Sequence, residues 1–208
     1  MNLAYTKMHG TGNLILVVDQ RRDDAPVPSP ERLRELADER TGPGFDQLLW
    51  VTAADDAGCA AAYRVFNADG SEVSQCGNGA RCVAAVLAGE DGHAQSFTLS
   101  SPAGPIAANV ADDGRVAVSM GTPAFEPARV PFLADDIRER YRHEVAGVPY
   151  DVAVVSMGTP HCVLQVDDVA AAPVERLGPL IENHPRFPEK TNVGFVCITG
   201  RDSIDLRV

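Results

Sequence analysis

The chain contains several short apolar runs separated by segments rich in glycine, proline and charge. Apolar runs of four to eight residues between turn signals are typical of buried strands. The pattern predicts strands over residues 13–19, 47–52, 62–67, 96–101 and within 105–120. In the last of these stretches Asp113-Gly114 predicts a hairpin turn, because this pair readily adopts the backbone of a tight turn.

Two stretches have helical spacing. The first follows Ser29, a residue type that caps helices, with Pro30 suited to the first helical position and Glu31 to the positive end of the dipole. Its buried face is predicted to comprise Leu33, Leu36 and Ala37. The second helix is predicted over residues 79–88, with apolar positions at Val83, Val86 and Leu87.

Four segments of the first half recur in the second half in the same order. "GTGNLILVVD" at 10–19 matches "GTPHCVLQVD" at 158–167, and "ERLRELA" at 31–37 matches "ERLGPLI" at 175–181. The two shorter matches are Gly44-Phe45 with Gly194-Phe195, and Arg64-Val65 with Arg207-Val208. The pattern predicts an α+β fold made of two pseudo-symmetric, duplicated domains, 1–120 and 121–208, with a boundary near the proline-rich passage 122–131.

Composition narrows the classes of function. The 208 residues are 45% hydrophobic and 23% charged, which is ordinary for a globular protein, and no apolar run approaches the length of a membrane span. The net charge of −11 argues against nucleic acid as a partner and leaves small zwitterions or metabolites. Five cysteines at irregular spacing, without a zinc-site pattern or a signal peptide, predict a reducing, cytoplasmic location and no metal.

One cysteine lies in a glycine-rich turn before the second helix, in "QCGNGARCV" at 75–83. A thiol at a helix N-terminus experiences positive potential, so we expect a lowered pKa for Cys76 and a reactive thiolate. The backbone N–H groups of Gly77, Asn78 and Gly79 could hold a substrate carboxylate, and a thiolate beside it suits removal of the α proton. The alternative is that Cys76 is a small buried hydrophobe, and spacing does not decide between the two.

The other candidate residues admit two interpretations each. Asn13, Asn67 and Asn192 lie at turns or strand ends, where an asparagine is either a ligand contact or a turn residue. His161 is either a buried histidine with its own partners or an auxiliary base. The remaining cysteines are predicted to pack in the core: Cys59, Cys82, Cys162 and Cys197.

Taken together, these residues resemble a known family. The stretches that carry the resemblance are "KMHGTGN" (7–13), "GFDQLL" (44–49), "FNADGSEVSQCGNGARC" (66–82), "SMGTPHCVL" (156–164) and "TNVGF" (191–195). They are similar to diaminopimelate epimerase over essentially the whole chain, and the stretch around Cys76 is the most specific of them. Related cofactor-independent racemases share the duplicated fold without this full set.

The resemblance implies a mechanism as well as a fold. Each domain would be a curved mixed sheet around a central helix, and the activity would interconvert LL- and meso-diaminopimelate for lysine and peptidoglycan without cofactor or metal. Two cysteines would act on opposite faces of the α carbon, Cys76 being one of them and His161 its auxiliary. The residues that would contact the substrate are Asn13, Gln47, Asn67, Gly77, Asn78, Thr159 and Asn192.

The sequence departs from the family pattern in two places. Thr159 stands where the family usually has asparagine, which would change one substrate hydrogen bond. The family's Glu-Arg pair and second cysteine motif would follow the last residue given, and the duplication likewise puts the counterpart of Cys76 at about 219 to 226. We therefore expect an incomplete second domain, either in a fragment or in a protein that lost the element, and no epimerisation by residues 1–208 alone.

Other functions stay open at this point. The chain could be a racemase or isomerase of the same fold acting on another amino or imino acid. It could also be a non-catalytic remnant that binds a zwitterion. A thiol-redox protein is disfavoured because the sequence has no CxxC pair. An incomplete second domain would expose apolar surface, so a homodimer is a further expectation.

Overall fold

The computed structural model describes residues 3–23, 25–74, 76–89 and 94–208. The chain divides into two compact units, residues 1–120 and 121–208. Each unit consists of one sheet with short helices packed on it. The functional assignment of residues 1–120 and 121–208 as epimerase domain and partial repeat stays a prediction.

The first unit contains an eight-stranded mixed sheet. Its strands are β1 (Thr6–Gly10), β2 (Asn13–Asp19), β3 (Gln47–Thr52), β4 (Ala61–Asn67), β5 (Glu72–Val73), β6 (Gln95–Ser101), β7 (Gly104–Val110) and β8 (Val116–Val118). They run in the order β1-β2-β3-β4-β6-β7-β8, and β5 pairs with β4. The pairs β2/β3 and β4/β6 are parallel and the others are antiparallel. The predicted strands are confirmed, and the turn at Gly114 has the positive φ (+79°) that its sequence predicts.

Two helices pack on this sheet. Helix α1 (Pro30–Ala37) begins as predicted: the Ser29 hydroxyl accepts the backbone N–H of Arg32 at 3.4 Å, and Leu33 is buried. Helix α2 (Gly77–Ala88) begins two residues before the predicted Gly79. The earlier start arises because Cys76, whose sulfur accepts a backbone N–H of the first turn, is the N-cap residue.

The apolar run of β2 is continuous because both faces of the sheet are covered. Ile15 and Val17 belong to the core beneath α2, whereas Leu16 and Val18 belong to a separate core beneath α1. Helix α2 contacts strands β1, β2, β3, β6, β7 and β8, so the first sheet curves around it as a central helix. A strand buried on both sides has no reason to alternate apolar and polar residues.

The second unit contains a five-stranded sheet and one α-helix among its residues 121–208. The elements are β9 (Tyr141–Val145), β10 (Val148–Ser156), β11 (Pro160–Gln165), α3 (Val174–Glu182), β12 (Asn192–Gly200) and β13 (Ser203–Arg207). The strand order is β13-β12-β11-β10-β9, with β11/β12 parallel and the rest antiparallel. The proline-rich passage contains a single 3-10 turn, Pro127–Arg129.

The predicted duplication is visible in the topology of the two sheets. Strands β1 to β4 and strands β10 to β13 have the same order, and in each set only the middle pair is parallel. Helix α1 connects the parallel pair in the first set and α3 connects it in the second. The two-copy α+β fold predicted from the sequence is therefore confirmed.

Strand register corrects the shorter of the sequence matches. With β2 and β11 aligned as the long match requires, Ile15 corresponds to Val163. Ile15 pairs with Gln47 and Val163 pairs with Gly194, so Gly194 corresponds to Gln47. The match of Gly44 with Gly194 is wrong, because Gly44 lies in the turn before β3 with a φ of +70°, whereas Gly194 lies inside β12.

The match of Arg64 with Arg207 is displaced for the same reason. Phe195 corresponds to Leu48, and these residues pair with Arg207 and Phe66, respectively. Arg207 thus occupies the position of Phe66, two residues from Arg64. The displacement keeps the side chain on the same face of the strand, which explains why the pattern of the sequence did not reveal it.

Residues 121–208 contain no helix that corresponds to α2 of the first unit. Helix α3 packs on the face that corresponds to the α1 side of the first sheet, where Leu177 and Ile181 meet Phe195 in one core. The opposite face exposes apolar side chains of β12 and β13, with relative exposures of 59% for Ile198 and 57% for both Ile204 and Leu206. Strand β13, the counterpart of β4, is the last element described.

The cysteines are only partly where the sequence placed them. Cys82 and Cys162 are buried, as predicted. Cys59 and Cys197 are half-buried, so their assignment to the core is wrong. Cys59 lies in the turn before β4, and the Cys197 thiol donates a hydrogen bond to the carbonyl oxygen of Asp167 at 3.1 Å. In the described residues no helix is long and apolar enough to cross a bilayer.

His143 on β9 is fully buried in the core of the second unit. Among the described residues neither ring nitrogen has a hydrogen-bond partner, and the ring packs edge-on against His184 (4.2 Å between centroids) and Phe187 (5.7 Å). Burial, with smaller contributions from His184 and Arg186, lowers the pKa of His143 from 6.5 to about 4. The neutral imidazole is therefore the folded form.

This burial predicts acid lability. The unfolded chain binds a proton near pH 6.5 and the folded chain only near pH 4, so stability is complete above pH 6.5 and falls as the pH drops toward 4. At pH 5 the wild type should have lost on the order of 1–2 kcal/mol of its free energy of unfolding through His143, and His143→Phe should not show this loss. Urea unfolding at pH 7.5 and pH 5 measures the difference. His9→Phe, at an exposed histidine, is the control. Equal pH sensitivity of wild type and His143→Phe would contradict the prediction.

Candidate active site

The Cys76 thiol lies between the start of α2 and the end of β3. Its sulfur accepts the backbone N–H of Gly79 at 3.1 Å, and its own carbonyl accepts the N–H of Ala80 at 2.9 Å. On its other side the thiol donates to Oε1 of Gln47, at an S···O distance of 2.7 Å. The same sulfur therefore caps the helix and contacts the sheet.

Three side-chain amides form a cluster beside this thiol. Asn13 Nδ2 donates to Gln47 Oε1 at 3.4 Å, and Gln47 Nε2 donates to Asn67 Oδ1 at 3.2 Å. Asn67 Nδ2 in turn donates to the Ser71 hydroxyl at 3.2 Å. The grouping follows from the sheet: Asn13 begins β2, Gln47 begins β3, and Asn67 pairs with Gln47 at the end of the antiparallel strand β4.

The expected lowering of the Cys76 pKa is wrong. Burial raises the pKa of this thiol, and the backbone N–H groups of Gly79 and Asn78 and the charge of Arg81 oppose the rise only in part. The helix N-terminus does supply the donors that the sequence suggested. A half-buried thiolate, however, loses more hydration than these groups replace. Cys76 is a protonated thiol at neutral pH in this state of the protein.

Gly77 and Asn78 form the first turn of α2. Their backbone N–H groups lie at the positive end of the helix dipole, the position that favours an anion. The Asn78 side chain is already engaged: Nδ2 donates to the Thr11 hydroxyl at 3.2 Å, and Oδ1 accepts a hydrogen bond from Arg81. A ligand at this helix end would therefore meet backbone donors first.

Close packing requires glycine at two of these positions. A Cβ on Gly79 would lie 2.7 Å from Leu49 Cδ2 and 3.3 Å from the Cys76 sulfur. A Cβ on Gly10 would lie 2.8 Å from Cβ of Asn78. These two glycines let α2 approach β3 and β1 closely enough for Cys76 to reach Gln47.

We expect Gly79→Ala to destabilise the protein by about 1–3 kcal/mol, although alanine is the better helix former, because the added methyl group overpacks a closed site. Leu49→Ala, which opens space beside it, should cost about 2–5 kcal/mol by itself. The double variant should cost clearly less than the sum of the two, as measured by urea unfolding in a double-mutant cycle. Additive costs would show that the two side chains do not compete for this space.

Three predicted residues come together in the second unit. The Thr159 hydroxyl and Nε2 of His161 are 3.2 Å apart, and Asn192 Nδ2 donates to the carbonyl oxygen of Pro160 at 3.2 Å. His161 and Asn192 are register partners at the start of the parallel strands β11 and β12. Burial lowers the pKa of His161, so its imidazole is neutral at pH 7.

Sequence reasoning missed three residues of the site. Thr11 and Arg81 hold the Asn78 side chain, and Ser71 holds that of Asn67. Arg81 could have been found, since it lies one helical turn after Asn78. Thr11 and Ser71 had no comparable signal, because only the fold brings Thr11 to α2. In the described part of the chain no group of three His, Cys, Asp or Glu side chains could hold a metal ion.

The fold is shared with racemases and epimerases of known structure. A hydroxyproline epimerase from Agrobacterium vitis matches with a TM-score of 0.66 at 16% identity, over 97% of this chain and 68% of that one. A probable proline racemase from Agrobacterium radiobacter K84 matches with a TM-score of 0.67 at 17% identity, over 99% and 69%. A predicted epimerase from Pseudomonas aeruginosa gives 0.58 at 19% identity, over 94% and 70%. These matches define the class of fold.

Sequence comparison gives the family within that class. The profile of the family "Diaminopimelate epimerase" matches residues 5–126 and 153–208. The diaminopimelate epimerase of Pseudomonas entomophila (strain L48) is 47% identical over 209 aligned positions, covering 100% of this chain and 75% of that protein. The chain therefore belongs to the diaminopimelate epimerase family. It is an epimerase, an enzyme of the isomerase class, as its motifs predicted.

Proposed function

We propose that this chain supplies Cys76 as one of two thiols that interconvert LL- and meso-diaminopimelate. The observation that carries the proposal is the position of the thiol: it caps α2 beside backbone donors for an anion and contacts a cluster of three amides. Family membership supports the substrate, which is that of the relative from Pseudomonas entomophila by its name. The reaction would serve the formation of lysine and peptidoglycan.

The proposed chemistry inverts one α carbon without a cofactor. A thiolate removes the α proton, the electrons of the C–H bond pass into the adjacent carboxylate, and a thiol on the opposite face delivers a proton to the carbon. Each turnover leaves the two sulfurs with exchanged protonation states, so the reverse reaction uses them in opposite roles. Cys76 takes one of these roles, and none of residues 1–208 is assigned the other.

The first unit would bind the reacting end of the substrate. The backbone N–H groups of Gly77 and Asn78 are the proposed donors to the carboxylate that gains negative charge, since preorganised donors stabilise charge where it develops. The side-chain amides of Asn13, Gln47 and Asn67 are the proposed contacts to its other polar groups. An amide offers both a donor and an acceptor, which suits a zwitterion carrying ammonium and carboxylate groups.

The second unit would add three further groups. Thr159 and Asn192 are proposed substrate contacts, and the neutral imidazole of His161 is the proposed auxiliary to Cys76. The 3.2 Å contact between Thr159 and His161 supports treating these two residues as one element. A threonine hydroxyl is shorter than the family's usual asparagine, so we propose that His161 fixes its orientation.

We further propose that the protein is cytoplasmic, needs no cofactor, binds no nucleic acid and forms a homodimer. The net charge of −11 supports the exclusion of nucleic acid. The exposed apolar side chains of β12 and β13 support association with a second copy, because a patch of this kind is unfavourable in water. Sedimentation velocity across a range of concentrations measures that association directly.

Deuterium exchange tests the assignment of Cys76. In deuterated water, at a pH high enough to ionise part of Cys76, we expect exchange of the α proton of LL- or meso-diaminopimelate in the presence of the chain, because one thiolate beside a bound α carbon suffices for exchange without inversion. Cys76→Ala should reduce the exchange rate at least about 100-fold, the lower range of general-base contributions. Proton nuclear magnetic resonance of the substrate is the readout.

Two comparisons give the test its meaning. Cys59→Ala, at a half-buried cysteine outside the site, should leave the exchange rate unchanged. Proline and 4-hydroxyproline serve as alternative substrates, and faster exchange of either would favour a racemase of another imino acid. Saturable binding of diaminopimelate with no exchange above the Cys76→Ala background would instead support a non-catalytic binding protein and overturn the proposal.

A further inference from the structure

Gln47 occupies the central position in the cluster beside Cys76. One amide group makes three contacts: Oε1 accepts from the Cys76 thiol at 2.7 Å and from Asn13 at 3.4 Å, and Nε2 donates to Asn67 at 3.2 Å. Gln47 is half-buried and begins β3, where pairing with β2 and β4 fixes its backbone. Its side chain can therefore turn about its own axis without moving the sheet.

We propose that Gln47 is a positioning residue that holds Cys76 as the thiol before substrate binds. Through Gln47, the protonation state of Cys76 also determines which hydrogen-bond donors and acceptors Asn13 and Asn67 present to the substrate. A carbonyl oxygen can contact the sulfur favourably only while the sulfur carries a proton to donate. A thiolate has no proton to give and requires a donor instead. The orientation of the Gln47 amide therefore favours one protonation state of Cys76.

The coupling follows from the geometry of an amide. If Cys76 loses its proton, rotation of the Gln47 amide by half a turn presents Nε2 to the sulfur and Oε1 to Asn67. Asn67 must then offer Nδ2 in place of Oδ1, and Asn13 must accept in place of donating. The protonation state of one sulfur is thus linked to the donors and acceptors that two asparagines present.

Among the residues that the structure describes, the other groups near the sulfur do not favour the thiol by accepting its proton. The Gly79 N–H donates to the sulfur whether it is a thiol or a thiolate. Arg81 on α2 favours the thiolate. Cys82 on α2 and Tyr63 on β4, the remaining titratable neighbours, are buried and neutral at pH 7, and burial raises the pKa of both. Gln47 is the neighbour whose carbonyl oxygen accepts the proton of the thiol.

The consequence for turnover rests on the proposed function. With Cys76 held as the thiol, the first proton transfer in which it takes part is donation to the α carbon. A substrate ammonium group that takes the Gln47 carbonyl as its acceptor would free the sulfur from this contact. Substrate binding would then supply the change that lets Cys76 become the base for the reverse direction.

Alkylation of Cys76 tests the inference without any turnover. The rate of modification by iodoacetamide between pH 7 and pH 11 gives the titration midpoint of the thiol, with the modified Cys76 peptide quantified by mass spectrometry. Gln47→Leu and Gln47→Met should lower the midpoint and accelerate alkylation at pH 7.5 about 3- to 10-fold, since both remove a hydrogen bond to the protonated form. Gln47→Glu should raise the midpoint and slow alkylation, because an ionised carboxylate opposes the thiolate.

Opposite shifts are the decisive result, because a merely structural disturbance would move the apolar and acidic variants in the same direction. Gln20→Leu is the matched control: Gln20 is a buried glutamine in the same unit that hydrogen-bonds the Asp19 carbonyl oxygen, and its replacement should leave the Cys76 midpoint unchanged. Urea unfolding confirms that each variant is folded, and Gln47→Met retains side-chain length if Gln47→Leu does not fold. An unchanged midpoint in the apolar variants, or shifts of the same sign in all three, would overturn the inference.

The two proposals fail in distinguishable ways. A chain without exchange activity but with opposite midpoint shifts would retain the role of Gln47 and lose the proposed substrate. A chain with exchange activity abolished by Cys76→Ala but no midpoint shifts would retain the epimerase assignment and lose the role of Gln47.

Discussion

The hydrogen bond from the Gly79 N–H to the Cys76 sulfur, 3.1 Å long, connects the chemistry of this protein to its packing. It satisfies one of the N–H groups that every helix leaves unpaired at its start, and it does so with the atom proposed to transfer protons. The contact exists only if α2 lies close to β3, and that approach requires a residue without a Cβ at position 79. The cap of α2, the packing of α2 on the sheet and the location of the thiol therefore all depend on the close approach of α2 to β3.

The close packing of α2 against the sheet also determines the pKa of the Cys76 thiol. A helix N-terminus favours a thiolate, and this alone would lower the pKa of Cys76. Packing α2 against the sheet also removes water from the sulfur, and the loss of hydration outweighs the donors, so the pKa rises. Gln47 can hold the proton on Cys76 only because the sulfur is withdrawn from water. The reactive form of Cys76 thus depends on what replaces that contact when a substrate enters.

Duplication explains both what the two units share and where they differ. In each unit a parallel pair of strands connected by a short helix is flanked by antiparallel strands, and the first polar residues of the parallel pair carry candidate site groups: Asn13 and Gln47 in one, His161 and Asn192 near the equivalent positions in the other. The first sheet is covered on both faces by α1 and α2. The second is covered by α3 on one face, and Ile198, Ile204 and Leu206 remain exposed on the other.

The sequence predicted most of the secondary structure because each element carries its own signal. The apolar run 13–19, the Ser29-Pro30 start of α1 and the Asp113-Gly114 turn depend on neighbours in the chain, and all three are found where they were predicted. The long sequence match also sufficed to predict the duplication. Strand register did not follow, because a displacement by two residues leaves the apolar pattern of a strand unchanged, as the position of Arg207 shows.

The candidate site was likewise predictable from the sequence only in part. The residues themselves could be named from the sequence, because "QCGNGARC" and the strand-end asparagines are local motifs. Which of them touch, and what that contact does to a proton, depends on distances across the sheet: Gln47 lies 29 residues before Cys76 and meets it at 2.7 Å. Hydration of the sulfur is likewise a property of the packed chain. By itself the sequence determined the family and the elements and singled out Cys76 as the candidate thiol; only the tertiary structure decided that burial and a cross-strand acceptor favour its protonated form, since both exist only after folding.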